Sequence, residues 1–171
     1  MATMHKPPRV AIDTNFPLLL AQEHDDAIEA LTVVRERVRP AEILVPPTAL
    51  GELRYQARFE RNAKQRELAQ TALSQLLPRW HFRPADLSST EEAISEEAAR
   101  NVLRVGLLPA AERNDALIIA ESAVLNAVLL VSNDSHLLQM DHRRLGLLFR
   151  ELDLPVPLIV SPREIVRKFY R

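Results

Sequence analysis

Four acidic side chains stand where parallel-sheet proteins commonly bind ligands. Asp13 ends the apolar run Val10–Ile12, and Asp134 follows another apolar run in LLVSNDSHL. Glu52 lies about one turn inside a predicted helix in PPTALGELRY, and Asp115 opens the apolar helix of AERNDALIIAESA. Because converging carboxylates repel one another unless a cation neutralises them, the set predicts a divalent-metal site.

Each acid taken alone also has an ordinary structural explanation. Asp13 can cap a turn together with Asn15 at a strand end. Asp115 has the charge that the positive end of a helix dipole favours. Glu52 alone is typical of a solvated helix position, and Asp134 alone is typical of a turn. These explanations stay open unless the four side chains come together in the fold.

The elements that must position these acids follow from the apolar pattern. Short apolar runs suited to strands occur at Val10–Ile12, Ile43–Val45, Val128–Val131 and Leu158–Val160, with a weaker one at Trp80–Phe82. Their alternation with helical patterns predicts an α/β fold with a mainly parallel sheet of about five strands, flanked by helices on both faces. Ligands of such sheets bind outside the carboxyl ends of the strands, where Asp13 and Asp134 stand.

Helix signals separate the apolar runs. The segment Asp26–Val38 carries a stripe of apolar side chains at helical spacing: Ala27, Ile28, Leu31, Val34 and Val38. A longer pattern runs from Thr48 to about Leu77, with a break expected near Arg61 and Asn62. Capping boxes predict two more helix starts, one formed by Ser89 with Glu92 and one by Ser161 with Glu164.

The composition excludes several classes of protein. The chain of 171 residues has no cysteine, which excludes disulfides, thiolate ligands and a cysteine nucleophile. Its only glycines, Gly51, Gly106 and Gly146, are too far apart for a dinucleotide fingerprint or a P-loop. The segment MATMHKPPRV has no hydrophobic signal core. We therefore expect a cytoplasmic protein with no membrane partner, folded as a single domain over residues 1–171 with its core at about 8–165.

Four motifs in a fixed order resemble the PIN domain, in particular proteins similar to VapC ribonuclease toxins. They are the hhhDTN element of residues 12–15, the PxxxxxEL element with Pro47 and Glu52, the NDALIIAESA helix and the SxD strand end of residues 132–134. The agreement extends over about residues 8–165. Two features depart from the family pattern: HLL at 136–138 replaces the usual aromatic, and the chain is longer than many VapC-like toxins.

The resemblance implies an endoribonuclease that depends on Mg²⁺ or Mn²⁺. Its catalytic and metal-binding residues would be Asp13, Glu52, Asp115 and Asp134, with Thr14, Asn15 and Ser132 as supports. Glu52 is either a ligand or the base that positions the attacking water. The implied partners are RNA, a cognate antitoxin and a second copy of the chain in a homodimer. The alternative is a non-catalytic module that binds RNA or protein, and the presence of all four acids argues against it.

A local basic segment is the predicted contact for RNA, because the net charge of −1 supplies no general attraction. The stretch RYQARFERNAKQR at 54–66 contains the predicted phosphate contacts Arg54, Arg58, Arg61 and Lys64. Three of them recur at helical spacing directly after Glu52; a solvated helix face is the alternative. Tyr55 and Phe59 are expected either to stack on bases or to fill a core or dimer interface. His136 is expected to be a packing or surface residue.

Overall fold

Five strands form one parallel sheet in the computed structural model, which describes residues 7–169. The strands are β1 (Arg9–Ile12), β2 (Glu42–Val45), β3 (Phe82–Pro84), β4 (Ala127–Val131) and β5 (Leu158–Val160). Their order across the sheet is β3-β2-β1-β4-β5, and every neighbouring pair is parallel. The predicted α/β class and five-stranded parallel sheet are confirmed.

Helices connect the strands and cover both faces of the sheet. They are α1 (Asn15–Ala21), α2 (Asp25–Val33), α3 (Pro47–Phe59), α4 (Ala63–Gln75), α5 (Ser89–Arg104), α6 (Arg113–Val124), α7 (Ser135–Leu138), α8 (His142–Arg150) and α9 (Pro162–Phe169). From β1 to β3 the chain moves across the sheet in one direction, and from β3 to β5 it moves in the other. Because parallel crossovers are right-handed, this reversal places the helices of the two halves on opposite faces. Within residues 7–169, no helix combines the length and apolarity needed to cross a membrane.

The central elements are apolar on all sides because they are buried in the core. Val10, Ala11 and Ile12 of β1 are fully buried, as a strand covered on both faces requires. In α6, Ile118 and Ile119 are likewise fully buried, and each contributes about 1.5–3 kcal/mol of hydrophobic stabilisation. The start of α6, which carries Asp115, is therefore held by a helix that is itself fixed in the core.

The pairing of β1 with β4 creates the crevice that the sequence predicts. These strands are neighbours although the chain leaves β1 toward one side of the sheet and leaves β4 toward the other, which defines a switch point. Ile12 pairs with Val131, and the amide of Asp13 donates to the carbonyl of Val131 at 2.9 Å. The residues that follow the two strands, Asp13 and Ser132, thus lie side by side at the carboxyl edge.

The third strand lies two residues later than predicted. Pairing with β2 begins at Phe82 and ends at Pro84, whereas Trp80 and His81 lie outside the sheet. The amide of Trp80 still donates to the carbonyl of Gln75 at 3.2 Å, and His81 has a φ of 53°. Trp80 is buried with its ring 5.7 Å from that of Phe82. Its apolar character thus reflects core packing and not strand pairing.

One predicted capping box is wrong by one residue, and the other is confirmed. The first box is formed by Ser88 and Glu91, in which the Ser88 hydroxyl accepts from the Glu91 amide at 3.3 Å and the carboxylate accepts from the Ser88 amide at 2.8 Å. SSTEE contains two serines, each three residues before a glutamate, so the pattern alone does not distinguish Ser88 from Ser89. Ser161 and Glu164 form the second box as predicted.

Of the two long helical patterns that the sequence predicts, the first ends earlier as an α-helix than expected and the second breaks where expected. α2 stops at Val33, and residues Val34–Val38 continue as a π-helical turn that ends at left-handed Arg39. Ile28, predicted on the buried stripe, is 45% exposed. The expected break in the second pattern is confirmed between α3 and α4, where the Asn62 side chain accepts from the amide of Gln65 and starts the new helix.

Candidate metal centre

Asp13 is buried at the carboxyl end of β1, with only 3% of its surface exposed. Its Oδ1 accepts from the Thr14 amide at 2.6 Å, and its Oδ2 accepts from the Ser132 hydroxyl at 2.6 Å and the Asn15 amide group at 3.0 Å. Burial raises the pKa of Asp13 to about 6, against the opposing effect of the bonds from Ser132 and Thr14. The carboxylate is therefore fixed in orientation but costly to ionise without a compensating positive charge.

The same side chains tie the end of β1 to the segment after β4. The Asn15 side-chain oxygen accepts from the Asn133 amide at 3.0 Å, and the Ser132 hydroxyl accepts from the Asp134 amide at 3.0 Å. Asp134 in turn accepts from the amides of His136 and Leu137 through Oδ1 and so begins α7. Asp134 is thus a turn acid, as its isolated position suggested, and it is also held beside Asp13.

Glu52 is held between two of the other predicted acids, Asp13 and Asp115. Its Oε2 accepts from the hydroxyl of Thr14, next to Asp13, and its Oε1 accepts at 2.7 Å from the side chain of Asn114, next to Asp115. A helix residue that seemed solvated in isolation therefore connects α3 with both β1 and α6. The fold brings all four predicted acids to one edge of the sheet.

Asp115 is the acid whose carboxylate the protein stabilises least. It is partly buried, and its Oδ2 is shielded from solvent with no hydrogen-bond partner among the described residues. Burial, followed by the negative charges of Asp13 and Asp134 and then of Glu112 and Glu52, raises the pKa of Asp115 to about 8. A buried acceptor without a partner costs about 1–3 kcal/mol. A hard cation would neutralise the surrounding negative charge and would also coordinate Oδ2. These residues therefore fit a divalent metal ion.

Two residues that sequence reasoning did not place at the site also face it. One ligand atom from each of Glu112, Asp115 and His136 lies within 4.8 Å of the others, a spacing that could hold a metal ion. His136 Nδ1 is 3.4 Å from a Glu112 oxygen and 3.9 Å from an Asp134 oxygen. His136 is exposed, as expected, but it faces acids. The only sequence signal is that Glu112 stands three residues before Asp115, which is one helical turn.

Glu121 lies farther along α6 and is not part of the acidic edge. It is 5% exposed and therefore lies in the interior. Its carboxylate accepts from the amide of Thr48 at 2.9 Å and from the hydroxyl of the same residue at 2.6 Å, at the start of α3. Burial raises the pKa of Glu121, and the two bonds from Thr48 oppose the rise. Its role in the structure is to fasten α3, which carries Glu52, to α6, which carries Asp115.

Two of the predicted basic side chains, Arg54 and Arg58, lie on a different face of α3 from Glu52. All four predicted basic side chains are exposed, and within residues 7–169 none forms an ion pair: Arg54, Arg58, Arg61 and Lys64. α3 ends at Phe59, so Arg61 is in the turn before α4 and does not continue the helical face. At 100° per residue, Arg54 and Arg58 lie about 160° and about 120° around the helix from Glu52. They therefore do not lead directly from the acidic edge.

An aromatic pair lies between the acidic and the basic faces. Tyr55 is 65% exposed and Phe59 is 56% exposed, which excludes a place in the core. Their ring centroids are 5.0 Å apart, and the Arg58 guanidinium lies 5.1 Å from the centre of the Phe59 ring. Tyr55 also lines an open cavity of about 650 Å³ beside the acidic edge, together with Thr48, Gly51, Glu52, Gln56 and Asn114.

Comparison with known proteins identifies the fold and the family. The structure is similar to a chain in the crystal structure of VapBC2 from Rickettsia felis bound to a DNA fragment from their promoter, with a TM-score of 0.60 and 19% sequence identity, over 90% of this chain and 98% of that one. No curated protein matches the chain in sequence. Residues 10–143 match the PIN domain, a segment that contains all four acids and the strands β1 to β4. The chain therefore belongs to the PIN domain family, whose members are generally nucleases.

Proposed function

We propose that this chain is an endoribonuclease that requires Mg²⁺ or Mn²⁺. The observation that carries the proposal is the Oδ2 atom of Asp115, which is buried and has no hydrogen-bond partner among the described residues, while several other carboxylates add negative charge around it. A protein that used these acids only for structure would be expected to pair or neutralise this oxygen. Membership of a nuclease family agrees with such a site.

The metal would be held by Asp13, Asp115 and Asp134, with Glu52 as a further ligand or as the base that positions water. Oxygen ligands suit Mg²⁺ and Mn²⁺, which keep several bound waters in such sites. When bound, the ion supplies an activated water and neutralises charge on the phosphate in the transition state. Glu112 and His136 are near enough to Asp115 to add ligands from the α6 and α7 side.

The remaining residues of the proposed site hold these groups in place. Ser132 and Asn15 donate to the same oxygen of Asp13, which leaves its other oxygen to the Thr14 amide and to the crevice. Thr14 also donates to Glu52 and therefore fixes the distance between the two acids. In this arrangement Thr14, Asn15 and Ser132 act on the ligands and have no direct contact with RNA.

We also propose the biological setting of the enzyme, at the level of a VapC-type toxin. The similar solved structure is that of VapBC2 with promoter DNA, and a protein partner that inhibits this chain would be the corresponding antitoxin. A cytoplasmic location and a homodimer belong to the same proposal. Expression of the chain alone should arrest growth, and co-expression of the partner or the change Asp13→Asn should relieve the arrest.

The direct test is cleavage of single-stranded RNA by purified protein with Mn²⁺ or Mg²⁺. Asp13→Asn should reduce the rate more than about 100-fold, because even residues that only support a ligand commonly contribute about 10–100-fold. Asp25→Asn, which removes an exposed carboxylate on α2, is the matched control and should cleave as the wild type does. Equal cleavage by wild type and Asp13→Asn would mean that the activity belongs to a contaminant and that the proposal is wrong.

A further inference from the structure

The cavity beside the acidic edge contains an aromatic ring that no part of the proposed metal site uses. Its volume of about 650 Å³ is within the range of about 300–1,000 Å³ typical of sites for small ligands. Glu52 and Asn114 form the side nearest the acids, and Tyr55 forms another side. The 65% exposure of Tyr55 leaves much of its side chain in contact with solvent.

Tyr55 packs against a second exposed aromatic ring on α3. The Phe59 ring packs against it at 5.0 Å with the two planes inclined at 45°, and the Arg58 guanidinium packs against Phe59. Unless this row of Tyr55, Phe59 and Arg58 binds a partner, two large aromatic side chains are exposed to water without a function. Exposed aromatic rings of this kind are typical of surfaces that bind a partner.

The position of the row around α3 indicates which partner it suits. Tyr55 lies about 60° around the helix from Glu52 and about 60° from Arg58, between the acidic and the basic faces. Arg58 and Arg61 have no ion pair within the described part of the chain and are free to bind phosphates. A single-stranded nucleic acid presents both a planar base and a phosphate, and the proteins that bind it combine aromatic rings with cationic side chains.

We propose that Tyr55, supported by Phe59, stacks on an unpaired nucleobase of the RNA in the cavity next to Glu52, while Arg58 and Arg61 bind the adjoining phosphates. This inference rests on the proposed ribonuclease function and specifies its substrate as a strand with at least one unstacked base. Gln56, which also lines the cavity, presents an amide able to donate and to accept hydrogen bonds at a base edge.

The test measures binding separately from cleavage. Fluorescence anisotropy in EDTA, with a labelled oligouridylate, reports affinity under conditions in which a metal-dependent enzyme does not turn over. Tyr55→Ala and Tyr55→Leu should weaken binding about tenfold, within the range known for loss of one stacked base, whereas Tyr55→Phe should keep the wild-type affinity. Leu147→Ala, which removes an apolar side chain on α8 that is 56% exposed, is the control and should have no effect.

A second probe tests stacking itself. An oligomer of 5,6-dihydrouridine has the same backbone but a saturated, non-planar base. It should bind the wild type about tenfold more weakly than oligouridylate, and Tyr55→Ala should weaken its binding no further. If Tyr55→Ala reduces the affinity for both oligomers equally, the ring does not stack on the base and the proposal is overturned.

The cavity can also be closed without altering the aromatic row. A side chain added at Gly51 would have no atom within 4 Å of its Cβ, so Gly51→Ala leaves the cavity open and Gly51→Leu extends into it. Only Gly51→Leu should weaken the binding of oligouridylate.

Two results would separate this proposal from others. If wild type and Tyr55→Ala bind and cleave RNA equally, but Tyr55→Ala sediments at a lower mass, the row is a protein interface and the stacking proposal is wrong. If Tyr55→Ala weakens binding in EDTA but neither the wild type nor any variant cleaves RNA with Mn²⁺, the stacking site stands and the proposed nuclease function fails.

Discussion

At the scale of single residues, Asp115 illustrates how a site can be kept ready for a cation. Its helix is fixed in the core, so its backbone cannot move away from the other acids, and within residues 7–169 one of its oxygens has neither solvent nor a donor. The free protein therefore holds a proton where the loaded protein would hold a metal. This exchange predicts a dependence on pH that can be measured in the absence of RNA.

In metal-free protein, Asp115 should make the free energy of unfolding fall as the pH rises from about 4 to about 8. Its pKa is raised from 3.8 to about 8 in the folded state, so over this window the unfolded chain has lost a proton that the folded protein keeps. Asp115→Asn should remove this fall and leave only the one that Asp13, whose pKa is raised to about 6, causes between about pH 4 and pH 6. Urea unfolding in EDTA across this pH range measures the effect, and parallel curves for the two proteins would contradict it.

The same variant separates a metal ligand from a structural acid. Metal binding requires the ionised carboxylate and stabilises only the folded state, so Mn²⁺ should raise the melting temperature of the wild type more at pH 8 than at pH 6. Asp115→Asn should show no such response at either pH. A response equal to that of the wild type would place the ion elsewhere.

Ser132 is the residue through which Asp13 and Asp134 are joined. Ser132→Ala removes a donor to Asp13 and an acceptor for the Asp134 amide, and we expect the affinity for Mn²⁺ to fall by about 10–100-fold. Ser122→Ala is the matched control, because Ser122 is also fully buried but its hydroxyl donates only to a carbonyl of its own helix. Titration calorimetry with Mn²⁺ compares them. If the two serine variants lose affinity equally, Ser132 has no special role.

At the scale of elements, the position of α3 decides where Glu52 lies. A helix start leaves backbone amides without partners, and at α3 one of them, that of Thr48, is bound by Glu121 from α6. The two helices that carry Glu52 and Asp115 are therefore joined by a buried carboxylate about two turns away from the acidic edge. Their separation depends on this contact.

Glu121→Ala should lower both the stability and the activity. It leaves the amide and hydroxyl of Thr48 without an acceptor, which should reduce the free energy of unfolding by about 1–3 kcal/mol. The turnover rate should fall with it, because Glu52 is no longer held against Asp115. Glu121→Gln keeps one acceptor and removes a buried charge, so it should retain most of the stability. Urea unfolding and single-turnover cleavage compare the two, and an equal loss in Glu121→Gln would show that the charge, and not the bond, matters.

The elements also show why some boundaries follow from sequence and others do not. The bounds of β1 follow closely from the sequence because a strand covered on both faces must be apolar throughout. The apolar side chain of Trp80 predicts a strand position, but its backbone completes a turn after α4. Ser88 and Ser89 have the same pattern of neighbours, and only the backbone conformation of Ser88 decides which one caps α5.

At the scale of the whole molecule, the reversal of strand order brings distant parts of the sequence to one edge. Asp13 and Asp134 could be placed together from sequence because the carboxyl ends of parallel strands meet there. Glu112 and His136 could not, because their approach depends on how the start of α6 is packed beside α7. The exposure of Tyr55 was equally hidden, since a helical pattern does not say which face of α3 remains uncovered.

The charges of the molecule are balanced overall but separated in space. The chain has 22 basic and 23 acidic residues, yet acids gather at the sheet edge, and arginines without an ion pair in the described part of the chain lie beyond Tyr55. RNA affinity should therefore depend on salt through a few local contacts. Arg61→Ala should lower the slope of log affinity against log salt by about 0.7, the value for one phosphate of a single strand. Arg150→Ala, on α8, should not change it; anisotropy titrations at several salt concentrations measure both slopes.

Gly51 offers a practical consequence of the same architecture. It is an exposed helix position that borders the cavity, and a Cβ added there meets no atom within 4 Å. Because the natural chain contains no cysteine, Gly51→Cys would create a single thiol that a fluorophore or spin label modifies selectively. A reporter at this point would stand beside Glu52 and Tyr55 at once. Arrival of an ion and arrival of a base could then be timed separately in one molecule.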